Sequence, residues 1–279
     1  MRQSTLCRLT GTAWATTQDG DHWVREARKL GYACRSAFKL VQIDNKFNIF
    51  SREHTKCIVD MGSNPGSWIQ VAASRSHPQS FLLGVDRKIS TSVLSIDLGI
   101  RAVQAGSKAH QLERIPSQHK SQYIDGDISD QVTQGRLKSI IDSMNIRADV
   151  VQADISPDRS GDKVRDYSEA IRLNSDIAYF ITREGLLARG GHFVCKVLGG
   201  DEYTRLLMNF CRRNFETACF YKPDACRSSS SEQYLVARFY GRAFTARDDK
   251  RSSGVRDNRM ERFGIDSWPG LTSRRRSGR

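Results

Sequence analysis

The chain has 279 residues, 38% of them hydrophobic, enough to bury one large core or two small ones and not a disordered composition. No apolar run approaches the roughly 18 residues a membrane-spanning helix needs, so an integral helical membrane protein is excluded. Forty-four Lys and Arg oppose 31 Asp and Glu, a net +13 that points to a polyanionic partner, nucleic acid before anionic lipid, with a solvated basic surface as the plain alternative.

Residues 1–18 carry Arg2, Arg8, six Ser/Thr and no acid, the profile of a mitochondrial targeting segment or of an ordinary flexible terminus. From Asp21 to about Ile49 apolar residues recur at helical spacing, broken near Gly31. Residues 56–61 (KCIVDM) read as a buried strand, followed by a Gly/Pro turn and a helix from Trp68 to about Ser74. FLLGVD (81–86) is a second strand, and YIDGD (123–127) contains a short third. Between them, 87–120 is too long for a simple connection, and Ile100 and Val103 suggest a short helix followed by a mobile loop. Residues 135–145 read as helix and 148–154 (ADVVQAD) as a fourth strand. From Asp166 to Ala188 an apolar helical face runs on until Gly190 and Gly191 stop it. HFVCKV (192–197) is a fifth strand, 201–214 a helix, and 216–222 and 233–240 are two strands joined without a helix. The remaining residues, 241–279, hold eleven Lys/Arg against five Asp/Glu, too polar to fold alone: a solvated tail or an interaction extension.

Strands alternating with helices predict an α/β fold, a mostly parallel seven-stranded Rossmann-like sheet with helices on both faces and an antiparallel strand near one edge. Such sheets bind ligands beyond the carboxyl ends of their strands. Asp60, Asp86, Asp127, Asp154 and Lys196 each put a charge where an apolar run ends. The seven cysteines lack a CxxC and the six histidines are scattered, so a reducing compartment and no bound metal are expected.

The loop Gly62-Ser63-Asn64-Pro65-Gly66-Ser67-Trp68 lacks the GxGxxG of a pyrophosphate site, which speaks against a nicotinamide oxidoreductase. Its Pro-Gly centre suits a small zwitterionic ligand better, or it is only a structural strand–helix turn. Asp86 ends a strand where a carboxylate accepts from ribose hydroxyls, and Asp127 where one accepts from an adenine amino group. Singly, each acid reads equally as a helix cap or a solvated charge.

Four separated blocks make the chain resemble the FtsJ/RrmJ-type ribose 2′-O-methyltransferases over about residues 21–240. They are Tyr32–Leu40 (YACRSAFKL), Asp60–Gln70 (DMGSNPGSWIQ), Ala153–Gly161 (ADISPDRSG), and Phe193–Val197 (FVCKV) with Lys222–Tyr234 (KPDACRSSSSEQY). The resemblance implies S-adenosylmethionine (SAM) as cofactor, held by Gly62, Ser63, Pro65, Gly66, Ser67, Trp68, Asp86, Asp127, Ile128 and Asp154. It also implies a catalytic tetrad of Lys39, Asp154, Lys196 and Glu232, with Lys196 as general base, Lys39 on the ribose oxygen or a phosphate, and the two acids orienting the lysines. A lysine acts as base only if its pKa is pushed down, which two converging lysines are expected to supply. Ser67 stands where the family has a glycine, which would narrow the approach to the methionine part of SAM, and Asp158 where an asparagine is common.

The expected organisation is a targeting or flexible segment (1–18), a methyltransferase domain (19–240, with 87–120 inserted) and a basic extension (241–279). The expected activity is 2′-O-methylation of a ribose, a uridine, in large-subunit ribosomal RNA. The expected setting is the mitochondrion, with cytoplasm or nucleolus as alternatives, and pre-ribosomal particle proteins are the expected partners. A tRNA target, or an assembly factor acting by RNA binding, are the alternatives.

Overall fold

Five consecutive residues of β1 (Cys57–Met61) are fully buried, as a strand covered on both faces must be. Cys57, Val59 and Met61 face one helical layer and Ile58 the other, and Asp60 is the one charge among them. In the computed structural model the described residues are 21–94, 98, 100–105, 109–114, 118–156, 161–198 and 202–242. The remaining strands are β2 (Phe81–Asp86), β3 (Ile100–Ala105), β4 (Ala109–Arg114), β5 (Lys120–Asp125), β6 (Ala148–Ala153), β7 (Leu187–Leu198), β8 (Phe215–Tyr221) and β9 (Glu232–Tyr240).

Seven of them form one sheet in the order β5-β2-β1-β6-β7-β9-β8, parallel from β5 to β7, with β9 antiparallel to both its neighbours. The α/β sheet expected from the sequence is therefore observed, with its antiparallel strand next to the edge. The order reverses between β1 and β6, the switch point where such sheets open a ligand crevice. Helices α1 (His22–Lys29), α2 (Ala37–Phe47) and α3 (Ser67–Arg75) cover the face to which Ile58, Val150, Val194 and Val236 point. Helices α5 (Gln131–Ser143), α6 (Lys163–Arg183) and α7 (Glu202–Asn214) cover the other, and a short α4 (Thr91–Leu94) follows β2. No helix among the described residues is long and apolar enough to cross a membrane.

Two expectations are corrected. The stretch around Ile100 and Val103 is not a helix with a mobile loop but an antiparallel hairpin of β3 and β4. Ile100 and Val103 fit helical spacing, but the sequence Gly106-Ser107-Lys108 between two six-residue runs is the stronger signal, because short hairpin connections favour glycine. The helix expected over 166–188 ends at Arg183. Gly185 adopts φ +64, and Leu186 N–H donates to the Ile181 carbonyl, so the left-handed residue that closes the helix is Gly185. Gly190 and Gly191 instead lie inside β7, where the pairing with β6 shifts register. Residues 1–20 and 243–279, which include the expected targeting segment and nearly all of the basic tail, lie outside the described residues.

Gly84 sits mid-strand on β2 without left-handed geometry, and its reason is space. A Cβ there would lie 2.5 Å from Tyr123 Cδ1 and 2.8 Å from Ser63 Oγ. Gly84→Ala is expected to cost about 1–3 kcal/mol by overpacking, seen as a lower urea midpoint at unchanged slope. An unchanged midpoint would mean that the Tyr123 ring yields freely.

Candidate active site

Strand register brings the site together. Asp60 lies opposite Gln152 on β6 and Gly84 on β2. Two residues further along the sheet, Lys196 on β7 lies opposite Tyr234 on β9. Ala153 pairs with Cys195, so Asp154, the residue after β6, arrives level with Lys196. From the covering layer, α2 brings Lys39 down onto the same place. Lys39 Nζ lies 2.5 Å from Glu232 Oε1, and Lys196 Nζ lies 2.8 Å from Asp154 Oδ1 and 3.2 Å from the Asp154 carbonyl. Ser36 Oγ donates to the other Asp154 oxygen. The four charged side chains are between 11% and 15% exposed, so their charges are balanced within the cluster rather than by water.

Tyr234 ties the two acids together. It is fully buried, with Oη 2.8 Å from Asp154 Oδ1 and 2.6 Å from Glu232 Oε1. Its one proton serves one carboxylate at a time, and burial together with the two acids drives its pKa well up. Burial by itself would raise Asp154, but Lys196 and Lys39 outweigh it and hold the carboxyl below its usual range. For Lys39, burial pulls the pKa down, but Asp154 and Glu232 outweigh that and raise it. Lys39 is therefore held charged by its two carboxylates.

Beside the tetrad a cleft of about 320 Å³ opens at the switch point, lined by Gly62, Asn64, Val85, Asp86, Arg87, Gly126, Asp127, Ile128, Asp154, Ile155, Ser156 and Leu173. Of the residues proposed from sequence, Gly62, Asp86, Asp127, Ile128 and Asp154 line it. Asp86 also holds the loop, accepting from the Asn64 and Lys88 amides, and Asp127 pairs with Arg87 at 3.1 Å. Gly62 has φ +81, and a Cβ there would lie 2.6 Å from Ile155 Cγ1. Ser63, Pro65, Gly66, Ser67 and Trp68 are not among the lining residues. Ser63, Ser67 and Trp68 are buried, Ser67 Oγ accepts from the Cys34 thiol, and the Trp68 indole N–H donates to Ser36. The side chains at 67 and 68 thus brace α3 against the start of α2. The lining residues the sequence reading missed, Asn64, Val85, Arg87, Gly126, Ile155, Ser156 and Leu173, mostly flank the charged strand ends that it had singled out.

Under the loop, Asp60 is wholly buried, and neither of its oxygens has a hydrogen-bond partner among the described residues. Burial pushes its pKa up to about 8, and the neighbouring Gln152 amide draws it back only in part. A buried, unpartnered carboxylate beneath the glycine loop of this cleft is compatible in charge with a ligand that has a cationic end. A second cavity of about 470 Å³ lies across the tetrad, with Lys39, Glu232, Arg35, Tyr167, Arg227 and Ser229–Ser231 in its wall. Ser156 borders both cavities, so Asp154 of the first and Lys39 and Glu232 of the second stand where they meet, with Lys196 paired to Asp154 behind them.

A switch-point cleft and a second cavity meet at paired lysines and carboxylates on an α/β sheet of the Rossmann-like kind. The FtsJ-like methyltransferase family model matches residues 32–240, and the chain belongs to that family. The ribosomal RNA large subunit methyltransferase E of Halobacterium salinarum is 31% identical over 252 residues, covering 90% of this chain and 86% of that one. The protein of the same name from Cereibacter sphaeroides is 34% identical over 238 residues, covering 85% and 87%. A Plasmodium falciparum structure solved as a ribosomal RNA methyltransferase shares the fold, with TM-score 0.54 and 24% identity over 75% of this chain and 98% of that one.

Asp60 gives a pH test with a definite sign. Its folded pKa, about 8, exceeds the ordinary 3.8, so between these values the native state keeps a proton that the unfolded chain has released. Stability then falls as pH rises through that window, with a slope approaching about 1.4 kcal/mol per pH unit. Asp60→Asn removes the slope, so the variant should gain on the wild type from pH 5 to pH 8 in urea titrations. His192, whose depressed pKa of about 4 works in the opposite direction, cancels in the difference. Parallel stability curves for the two proteins would refute the buried, unpartnered state of Asp60.

Proposed function

We propose that this chain is a SAM-dependent methyltransferase acting on a ribose 2′-hydroxyl of large-subunit ribosomal RNA, at a uridine. On this reading it works in the mitochondrion, to which residues 1–18 would direct it, alongside pre-ribosomal particle proteins. The observation that carries the reading is the tetrad of Lys39, Asp154, Lys196 and Glu232 at the junction of two cavities. One cavity suits a nucleoside cofactor, and the other carries three cations and several hydroxyls alongside Asp166 and Glu232, a wall suited to the phosphates and hydroxyls of a ribose-phosphate chain. Family membership and the names of the relatives support the substrate class.

The residues divide the work. Asp86 and Asp127 would meet the ribose and adenine of the cofactor, Ile128 and Leu173 would supply the apolar walls of its cleft, and the buried Asp60 would favour a cationic group above it by its charge. When bound, SAM supplies a methyl group on a sulfonium. Lys39, held charged by its two carboxylates, steers the acceptor through its ribose oxygen or an adjacent phosphate. Lys196, in its neutral form, would take the proton of the acceptor hydroxyl as that oxygen accepts the methyl group. Asp154, ionised, would stabilise the ammonium that results. A weak nucleophile such as a 2′-hydroxyl gains most from being held in a fixed position beside its base.

The test is methyl incorporation from labelled SAM into ribosomal RNA and tRNA, followed by digestion to nucleosides. The expected product is a 2′-O-methylated uridine from large-subunit RNA. Label in tRNA would move the substrate, label on a base would refute the ribose, and RNA affinity without label would make the chain a binding factor. Lys196→Ala should lower turnover by about 10²–10⁴-fold and leave SAM affinity nearly intact. With chemistry limiting, the wild-type rate should rise with pH, as a base that must be unprotonated requires, and a flat profile would refute lysine as the base.

A further inference from the structure

The edge of the sheet beyond the tetrad carries a ladder of rings and cations that the proposed chemistry does not use. Tyr221 pairs directly with Tyr234 across β8 and β9, so it shares the tetrad's face of the sheet one strand further out. Lys46, at the end of α2, holds its ammonium 4.2 Å from the centre of the Tyr221 ring and 5.6 Å from that of Phe47. The two rings meet edge to face at 5.5 Å. Next, the Arg238 guanidinium lies 5.7 Å from Phe47 and donates to its carbonyl, and Arg242 lies 4.7 Å from Phe239. Lys46 is exposed and Arg242 is 57% exposed, whereas the rings are half-buried, so the cations stand outermost. Two acids stand by the strip, Glu216 at 3.7 Å from Arg242 and Asp224 near Tyr221, against the three cations Lys46, Arg238 and Arg242.

The strip is continuous with the second cavity. Lys222, the residue after Tyr221, donates to the Ser230 carbonyl at 2.6 Å, and Ser230 lines that cavity. From Tyr221 to the level of Arg238, which pairs with Thr217, the strip runs four residues along β8, about 13 Å. It ends at Arg242, where the basic 243–279 sequence begins. Like charge argues against that segment lying on the strip, and the complementary occupant is a polyanion.

We propose that this strip is a platform for single-stranded RNA flanking the acceptor nucleotide, its phosphates on Lys46 and Arg242 and its bases on Tyr221 and Phe47. Alternating half-buried rings and outward cations are the pattern of sequence-tolerant single-strand binding, where each stacked base is worth about 1–3 kcal/mol by alanine substitution. An acidic protein would use the cations without needing the rings. The proposal rests on the RNA substrate of the preceding reading, and the experiment separates the two failures.

The measurement is fluorescence anisotropy of a labelled 12-nucleotide single-stranded RNA on the full chain across a salt series, beside methyl transfer to ribosomal RNA. Tyr221→Ala should weaken single-strand binding by about tenfold, within the range given by one lost stack. K46E with R242E should weaken it further and make the salt slope shallower by about 1.4, two phosphate contacts at about 0.7 each. Melting temperatures within error of wild type keep the result from being a folding defect, and Tyr221→Phe should restore binding. If wild type binds and methylates RNA but both variants bind it equally well, the platform is wrong and the proposed function stands. If K46E/R242E alone loses affinity, and does so equally for a polyglutamate peptide, the strip is an acidic-protein surface and the RNA platform is wrong. If wild type neither binds nor methylates RNA, both fall.

Discussion

Two ammonium groups and two carboxylates, none more than 15% exposed, occupy one spot at the carboxyl end of the sheet. Any one of them alone would be costly there, since removing a charge from water costs several kcal/mol even after relaxation. Together they neutralise one another, and Tyr234 and Ser36 take up the remaining carboxylate valences. This mutual compensation lets a polar reaction centre exist inside a packed α/β core. It also sets the protonation states: Asp154 is held ionised and Lys39 charged, although burial pushes both the other way.

The rest of the fold delivers those groups. Alternation along β7 and β9 turns Lys196 and Tyr234 to the face under α2, and α2 is aimed so that Lys39 reaches them. Trp68 and Ser67 at the start of α3 brace the beginning of α2, and Arg35 couples the α1 cap residue Asp21 to the Ala225 carbonyl beside the site. Gly62 lets the loop pass Ile155 closely where the switch-point cleft opens next to the tetrad. The two cavities share a wall because β6 ends where the sheet reverses direction, and Asp154 is the first residue past that end.

The alternation of strands and helices in the main sheet and the four charged residues of the tetrad were legible because both depend on local pattern: a charge at the end of each apolar run, and motif blocks in sequence order. The 100–114 hairpin was not, because Ile100 and Val103 fit either period and the deciding signal was a glycine in the connection. The end of α6 was misassigned because a glycine pair outweighed a lone Gly185, although only Gly185 takes the left-handed conformation next to the helix. In the loop, the sequence marked Ser67 and Trp68 for their neighbourhood, but which way their side chains point depends on α2, which packs from thirty residues away.

The compensation within the tetrad is tested most directly by a double-mutant cycle on Lys39 and Glu232, using Lys39→Met, Glu232→Gln and both together, with unfolding free energies from urea titration. Each single substitution leaves a mostly buried charge without its closest partner, whereas the double removes both. The account predicts that the double variant is more stable than the sum of the single losses implies, by a coupling of about 1–3 kcal/mol. Additivity within about 0.5 kcal/mol would mean that the two charges do not depend on each other, and would contradict it.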